Sequence, residues 1–141
     1  MIVLDTNVVS ELMRPAPAAA VVAWIGRQSR QQFCTTSLTE AELRYGVALL
    51  PHGRRRDAVA RGVDALFRAD FRDRVLPFDS AAAGRYAEIA QTRREVGRPI
   101  SQFDAQIAAV ARTHGATLAT RNVADFEGCG VDVVDPWSAS R

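Results

Sequence analysis

The chain has 141 residues, a formal net charge of +2 and a hydrophobic share of 48%, which suits one ordinary domain with a continuous core. No apolar stretch approaches the roughly 20 residues that a membrane-spanning helix needs, and the opening residues lack the basic segment of a secretory signal. All 18 basic residues are arginine, which excludes chemistry that requires lysine: a phosphate-loop NTPase, a Schiff-base enzyme or a lysine general base.

In chain order, the first strand is expected over 1–5, where the apolar run Ile2-Val3-Leu4 ends on Asp5. Helices follow over 7–13 and 18–29, separated by Pro15 and Pro17. A strand over 32–37 leads into a helix over 38–50. The turn Pro51-His52-Gly53 joins that helix to a long one over 54–72, whose apolar face is Val59, Val63, Leu66, Phe67 and Phe71. These two helices form a hairpin expected to stand apart from the sheet. Its Arg54-Arg55-Arg56 run begins the second helix, where cations oppose the macrodipole; it reads as a solvated turn or as a functional cationic patch. A strand over 74–78 precedes a helix over 80–97 with Asp79 as its N-cap. The helix over 102–114 turns Phe103, Ile107, Val110 and Ala111 to one side and stops at Gly115. Strands over 116–120 and 131–134 complete the pattern, with a glycine loop at 128–130 between them. Alternating strands and helices predict an α/β domain over 1–141, with a parallel sheet of about five strands and helices on both faces.

The acids lie where such a sheet places ligands. Asp5 ends a strand and opens a helix, at the carboxyl edge of the sheet. Glu42 and Asp104 stand near the starts of later helices. Each has a local alternative. Asp5 suits an N-cap, Thr39-Glu40-Ala41-Glu42 fits a capping box, and Ser101-Gln102-Phe103-Asp104 is a first-turn pattern that also suits the helix dipole. Asn122 and Asp125 follow the fourth strand and serve either as auxiliary ligands or as caps of a short turn. Asn7 and Ser37 lie near strand ends and are placed to orient Asp5 or satisfy loop backbone. Several carboxylates converging with no lysine among them would repel one another, and Mg²⁺ or Mn²⁺ relieves that repulsion. Such a site activates water for attack on a phosphodiester. Two unpaired histidines, His52 and His114, argue against structural zinc. Cys34 and Cys129 lack any CxxC or CxxH neighbour and read as buried thiols in a reducing compartment, the cytoplasm.

Four motifs in order carry a family resemblance: Leu4-Asp5-Thr6-Asn7-Val8-Val9-Ser10-Glu11, Ala41-Glu42-Leu43-Arg44-Tyr45-Gly46, Asp104-Ala105-Gln106-Ile107-Ala108-Ala109, and Ala119-Thr120-Arg121-Asn122 with Asp125-Phe126. Together they resemble the PIN-domain ribonucleases of the VapC toxin type, with features of the FitB-like subgroup in Glu42-Leu43-Arg44 and Gly46-Val47-Ala48-Leu49-Leu50. The resemblance implies a three-layer α/β/α PIN fold with a protruding helical hairpin. It implies Mg²⁺- or Mn²⁺-dependent RNA cleavage leaving a 5′-phosphate and a 3′-hydroxyl. It implies a homodimer, a cognate VapB-like antitoxin, a toxin–antitoxin hetero-oligomer, and operator DNA bound only through the antitoxin. Asp5, Glu42 and Asp104 match the family's metal-site acids. The fourth position, often Asp, is Asn122 here, which puts a second metal in question. Arg44, Arg94, Arg98 and Arg121 are the candidates for holding RNA phosphates. Two other classes share such a pattern of acids: a catalytically weak PIN-fold partner in transcriptional control, and a phosphotransfer domain. The missing lysine and the Asp5-Thr6-Asn7 sequence, in place of a DxD motif, argue against the latter.

Overall fold

A computed structural model describes residues 1–139. Five strands, β1 (Ile2–Leu4), β2 (Phe33–Thr36), β3 (Val75–Leu76), β4 (Thr117–Ala119) and β5 (Val133–Val134), form one sheet in the order β3-β2-β1-β4-β5. Every pairing is parallel. Each strand is shorter than expected at one or both ends. Gln32 belongs to a 3-10 turn, Arg30–Gln32, and Asp5 is already a helix cap.

Six α-helices cross between the strands: α1 (Thr6–Leu12), α2 (Ala19–Gly26), α3 (Ser37–Ala48), α4 (Arg54–Ala65), α5 (Ser80–Glu95) and α6 (Gln102–Thr113). The sheet's alternation divides the core into two layers. Val3, Cys34 and Leu118 join Ile89 of α5 and Ile107 and Val110 of α6 on one face. Leu4, Phe33 and Ala119 join Val8, Val9, Trp24, Val63 and Phe67 on the other. Leu118, Ile107 and Val8 are wholly buried, and each such side chain contributes about 2 kcal/mol of burial free energy.

The expected helix over 54–72 is not one α-helix. It changes at Leu66 into a π-helical turn, Leu66–Asp70, in which Phe71 N donates to Leu66 O at 2.8 Å. Phe67 and Phe71 both turn to the core, their ring centroids 6.1 Å apart. The α3–α4 hairpin is therefore rooted in the core through Val63, Val47 and Leu43 instead of standing apart along its length. Its outer part protrudes, leaving Tyr45 65% and Leu49 67% exposed. Arg54 and Arg55 point to solvent in the first turn of α4, and Arg56 meets the His52 ring at 3.0 Å. Asp79 caps α5 as expected, accepting from Ala82 N at 3.0 Å. Gly115 ends α6 with φ +61°, a conformation that glycine adopts without a Cβ penalty. Cys34 and Cys129 are free and buried; burial pushes the Cys34 thiol up to about 11.

Candidate active site

The strand order reverses direction between β1 and β4, because the chain builds outward from β1 to β3 and then returns to the other side of β1. Connections diverge at such a point and leave a crevice at the carboxyl ends of the strands. A cleft of about 560 Å³ lies there, lined by Asp5, Asn7, Glu42, Asp104, Arg121 and Asn122, with Glu11, Arg14, Phe103 and Trp137 among its further walls.

Asp5 is only 5% exposed and has two roles. Its Oδ1 caps α1 by accepting from Thr6 N at 2.8 Å, while Oδ2 accepts from the Thr120 hydroxyl at 2.7 Å and from Asn7 Nδ2 at 3.4 Å. The expected cap and the expected site acid are thus the same carboxylate. A hydroxyl has one proton and two lone pairs. Thr120 Oγ1 therefore donates to Asp5 and accepts from Asn7 Nδ2 at 3.2 Å and from Asn122 N at 3.1 Å. Asn7 Oδ1 in turn accepts from Arg121 N at 3.1 Å. These bonds lace the end of β1 to the end of β4 and orient Asp5. Thr120 was visible in the fourth motif, but a threonine after a strand carries no signal of such a role. Ser37 opens α3 instead of orienting Asp5; Thr39 of α3 meets Thr6 across 3.0 Å.

Glu42 comes from the second turn of α3. The cap of that helix is Thr36, whose Oγ1 accepts from Thr39 N at 3.1 Å. The capping box that was the local alternative over Thr39–Glu42 does not form, because the helix starts earlier at Ser37 and the Thr39 N–H is taken by Thr36. Its carboxylate lines the cleft. Asp104 lies in the first turn of α6. Ser101 caps it through Asp104 N at 3.1 Å, and the Asp104 carboxylate also lines the cleft. Asn122 makes no side-chain cap bond to the following 3-10 turn, Val123–Phe126, and its amide is left to the cleft. Asp125, on that turn, lies behind the lining but within reach of Asp104's field.

Burial and neighbouring charges bear on two of these carboxylates, Asp5 and Asp104. Burial pushes the Asp5 carboxyl above its ordinary range, and the charges of Asp104 and Glu42 add to the rise, against hydrogen bonds from Thr120 and Thr6 that lower it. Burial likewise raises Asp104, followed by the charges of Asp125 and Glu42. Among the described residues no three His, Cys, Asp or Glu side chains are grouped tightly enough to hold an ion among themselves. The donor set is nonetheless one that a hard cation suits: oxygen ligands only, carrying excess negative charge. A hydrated Mg²⁺ needs only one or two direct carboxylates, and water reaches the others.

Of the arginines expected to hold phosphate, Arg121 lines the cleft and the other three do not. Arg44 is engaged by Glu40 at 2.9 Å and Asp64 at 2.8 Å and lies over the Phe67 ring. Arg98 pairs with Glu127 at 3.1 Å, and Arg94 is exposed on α5. Arg14 lines the cleft in their place, beside the buried Glu11, whose Oε2 accepts from Ala18 N at 2.8 Å and closes the proline-rich turn. Nothing in the local sequence singled out Arg14, since it reaches the cleft only through the turn after α1.

The PIN domain profile matches residues 2–127. The chain is 41% identical over 137 residues to the VapC ribonuclease Y4jK of Sinorhizobium fredii, covering 97% of this chain and 98% of that one. It is 39% identical over 137 residues to the toxin FitB of Neisseria gonorrhoeae, covering 97% and 99%. The solved structure of FitAB bound to an IR36 DNA fragment superposes with a TM-score of 0.93 at 38% identity, over 100% of this chain and 99% of that one. Whole-length likeness at this level joins the sheet order and the convergent acids to one conclusion: the chain belongs to the PIN-domain family, in its VapC and FitB branch of toxin ribonucleases.

Proposed function

We propose that this toxin hydrolyses RNA phosphodiester bonds internally with Mg²⁺ or Mn²⁺, and that Asp5, Glu42 and Asp104 are the acids that hold the ion. The observation that carries this reading is the arrival of three carboxylates, from the cap of α1, from α3 and from α6, in one cleft, where the charges of Asp104 and Glu42 add to the burial that raises Asp5, and the charge of Glu42 adds to the burial that raises Asp104. When bound, the ion supplies a water of lowered pKa and offsets the charge of the phosphate. Asp5 is held for this task by Thr120 and Thr6, which favour its ionised form. Asn7 fixes the Thr120–Asp5 pair in place. The Asn122 amide is free to bond a water or a phosphate oxygen, and Asp125 adds negative charge behind Asp104. With an amide at Asn122, one well-held ion suits the site better than two. Arg121 and Arg14 are the cations placed to meet RNA phosphates.

The proposed assembly is a homodimer held inactive by a VapB-like antitoxin in a hetero-oligomer, with operator DNA contacted through the antitoxin. Support comes from the FitAB–DNA structure that this chain resembles. The proposed location is the cytoplasm, in keeping with two buried free thiols. Among the described residues no helix is long and apolar enough to cross a membrane.

The test is induced expression of the parent chain and of Asp5→Ala, with cleavage of single-stranded RNA measured on the purified proteins with and without a chelator. Growth arrest and chelator-sensitive cleavage by the parent alone are expected. Asp5→Ala and Asp104→Asn proteins that cut RNA as fast as the parent would sink the metal-site assignment.

A further inference from the structure

The cleft has an aromatic wall that the carboxylate chemistry does not use. Trp137 lines it from the segment after β5. That segment is locally fixed: Asp135 Oδ1 accepts from Trp137 N at 2.9 Å, and Asp135 O accepts from Ser138 N and Ala139 N at 3.2 and 2.9 Å. The indole also packs against the core layer of Leu4 and Val8. It is thus held in position at a cleft wall, without being enclosed. The guanidinium carbon of Arg121 lies 4.9 Å over the centre of its ring. Arg121 is itself exposed, and its backbone N is bonded to Asn7, the residue that touches Asp5. The backbone of Arg121 is therefore tied to the same hydrogen-bond network as Asp5.

The charge of the cleft makes this pair informative. Asp5, Glu42, Asp104 and Glu11 line it against Arg14 and Arg121, and Arg14 is paired with Glu11. The proposed ion offsets that negative charge for a phosphate of any nucleotide, so seating one particular nucleotide calls for an attraction that does not depend on charge. Stacking of an unpaired base on an aromatic ring supplies such attraction, and it is open to single strands only.

We propose that Trp137 and Arg121 form a stacking subsite for one unpaired base of single-stranded RNA beside the carboxylates. The inference rests on the ribonuclease reading above. On binding, Arg121 leaves the ring for a phosphate, and the base takes the ring face that it vacates. The subsite fixes which nucleotide sits next to the bond that is cut. Trp137 is a substrate-positioning residue in this scheme.

The experiment uses Asp104→Asn protein with Mg²⁺, so that RNA is bound without being cut, and a labelled single-stranded RNA. Anisotropy of the label reports binding, and tryptophan emission reports stacking. Trp24 is 4% exposed in the core, so RNA reaches only Trp137. Emission is expected to fall along the same curve as the anisotropy rises. One abasic nucleotide moved through the RNA is expected to weaken binding by about tenfold at a single position, and to have no such position in Trp137→Leu protein. Binding with unchanged emission, or the same abasic profile in both proteins, overturns the stacking subsite and leaves the ribonuclease reading intact. Absence of RNA binding by Asp104→Asn, with no cleavage by the parent, overturns both. The emission readout needs no substitution at Trp137, so a poorly folding Trp137→Leu chain does not shelter the proposal.

Discussion

Thr120→Val isolates the hydrogen bond that orients Asp5. The change keeps the shape of a fully buried side chain and deletes only its hydroxyl. That hydroxyl donates to the Asp5 carboxylate at 2.7 Å and accepts from Asn7 Nδ2 and Asn122 N. A hydrogen bond to a charged group contributes about 1.5–3 kcal/mol, and a neutral one about 1. Asn122 is exposed and Asn7 half-buried, so water replaces part of what they lose. The expected loss at neutral pH is about 2–3 kcal/mol, a fall in Tm of roughly 5–10 °C. The loss depends on pH. Thr120 lowers the Asp5 pKa by favouring the carboxylate, so without it that pKa stands higher still. The deficit is fully present where Asp5 is ionised in both proteins, and it shrinks as falling pH protonates Asp5. Urea unfolding in metal-free buffer at about pH 7 and about pH 4 reads both quantities. Thr120→Ser, which keeps the hydroxyl, should retain most of the stability. Equal stability of Thr120→Val and parent at neutral pH refutes the reasoning. A loss of the same size at both pH values shows that Thr120 acts through the Asn122 backbone and not through Asp5.

Three further outcomes are expected. Asp5 and Asp104 both have raised pKa values in the fold, so their contribution to stability is present at low pH and lost as pH rises through those values; metal-free Asp104→Asn should therefore be more stable than the parent at neutral pH by thermal unfolding, with the order reversed in saturating Mg²⁺. Arg93 is buried and donates to the carbonyls of Arg98, Asp125 and Glu127 at 2.7, 2.7 and 3.1 Å, tying α5 to the loop that carries Asp125; Arg93→Met should cost about 2 kcal/mol in urea unfolding, and an unchanged midpoint would mean that water serves those carbonyls equally well. Arg121→Ala should weaken RNA binding at all sequences and reduce the slope of log affinity against log salt by about one; an unchanged slope in a filter-binding titration would remove Arg121 from phosphate contact.

The pattern of short apolar runs and amphipathic segments was enough to place all five strands and six helices in order, because each period follows from which face must be buried. Asp5 was legible for the same reason: a carboxylate directly after a buried strand has few stable surroundings. The Ser101 cap of α6 and the Asp79 cap of α5 were legible because capping is local. The capping box that Thr39–Glu42 also allows shows the limit of local pattern, since Thr36 and Thr39 are both competent caps and the structure uses Thr36. The π-helical turn at Leu66 was hidden for a related reason, as Phe67 and Phe71 keep α-helical spacing in the sequence and nothing local marks the change of turn.

The sequence by itself thus determined the strand–helix order, the identity of three acids and the absence of any lysine to neutralise them. Those properties depend on composition and on contacts within a few residues. Tertiary structure alone decided which groups share the cleft. Thr120 is 115 residues from Asp5, and Arg121 lies against Trp137 from a different strand end. Arg44, next but one to Glu42, is held on the hairpin by Asp64. The Thr120–Asp5 pairing is set by the return of β4 to the side of β1, and the others by the packing of β5 on β4 and of α4 on α3, choices made by the burial of whole faces, which no local spacing encodes.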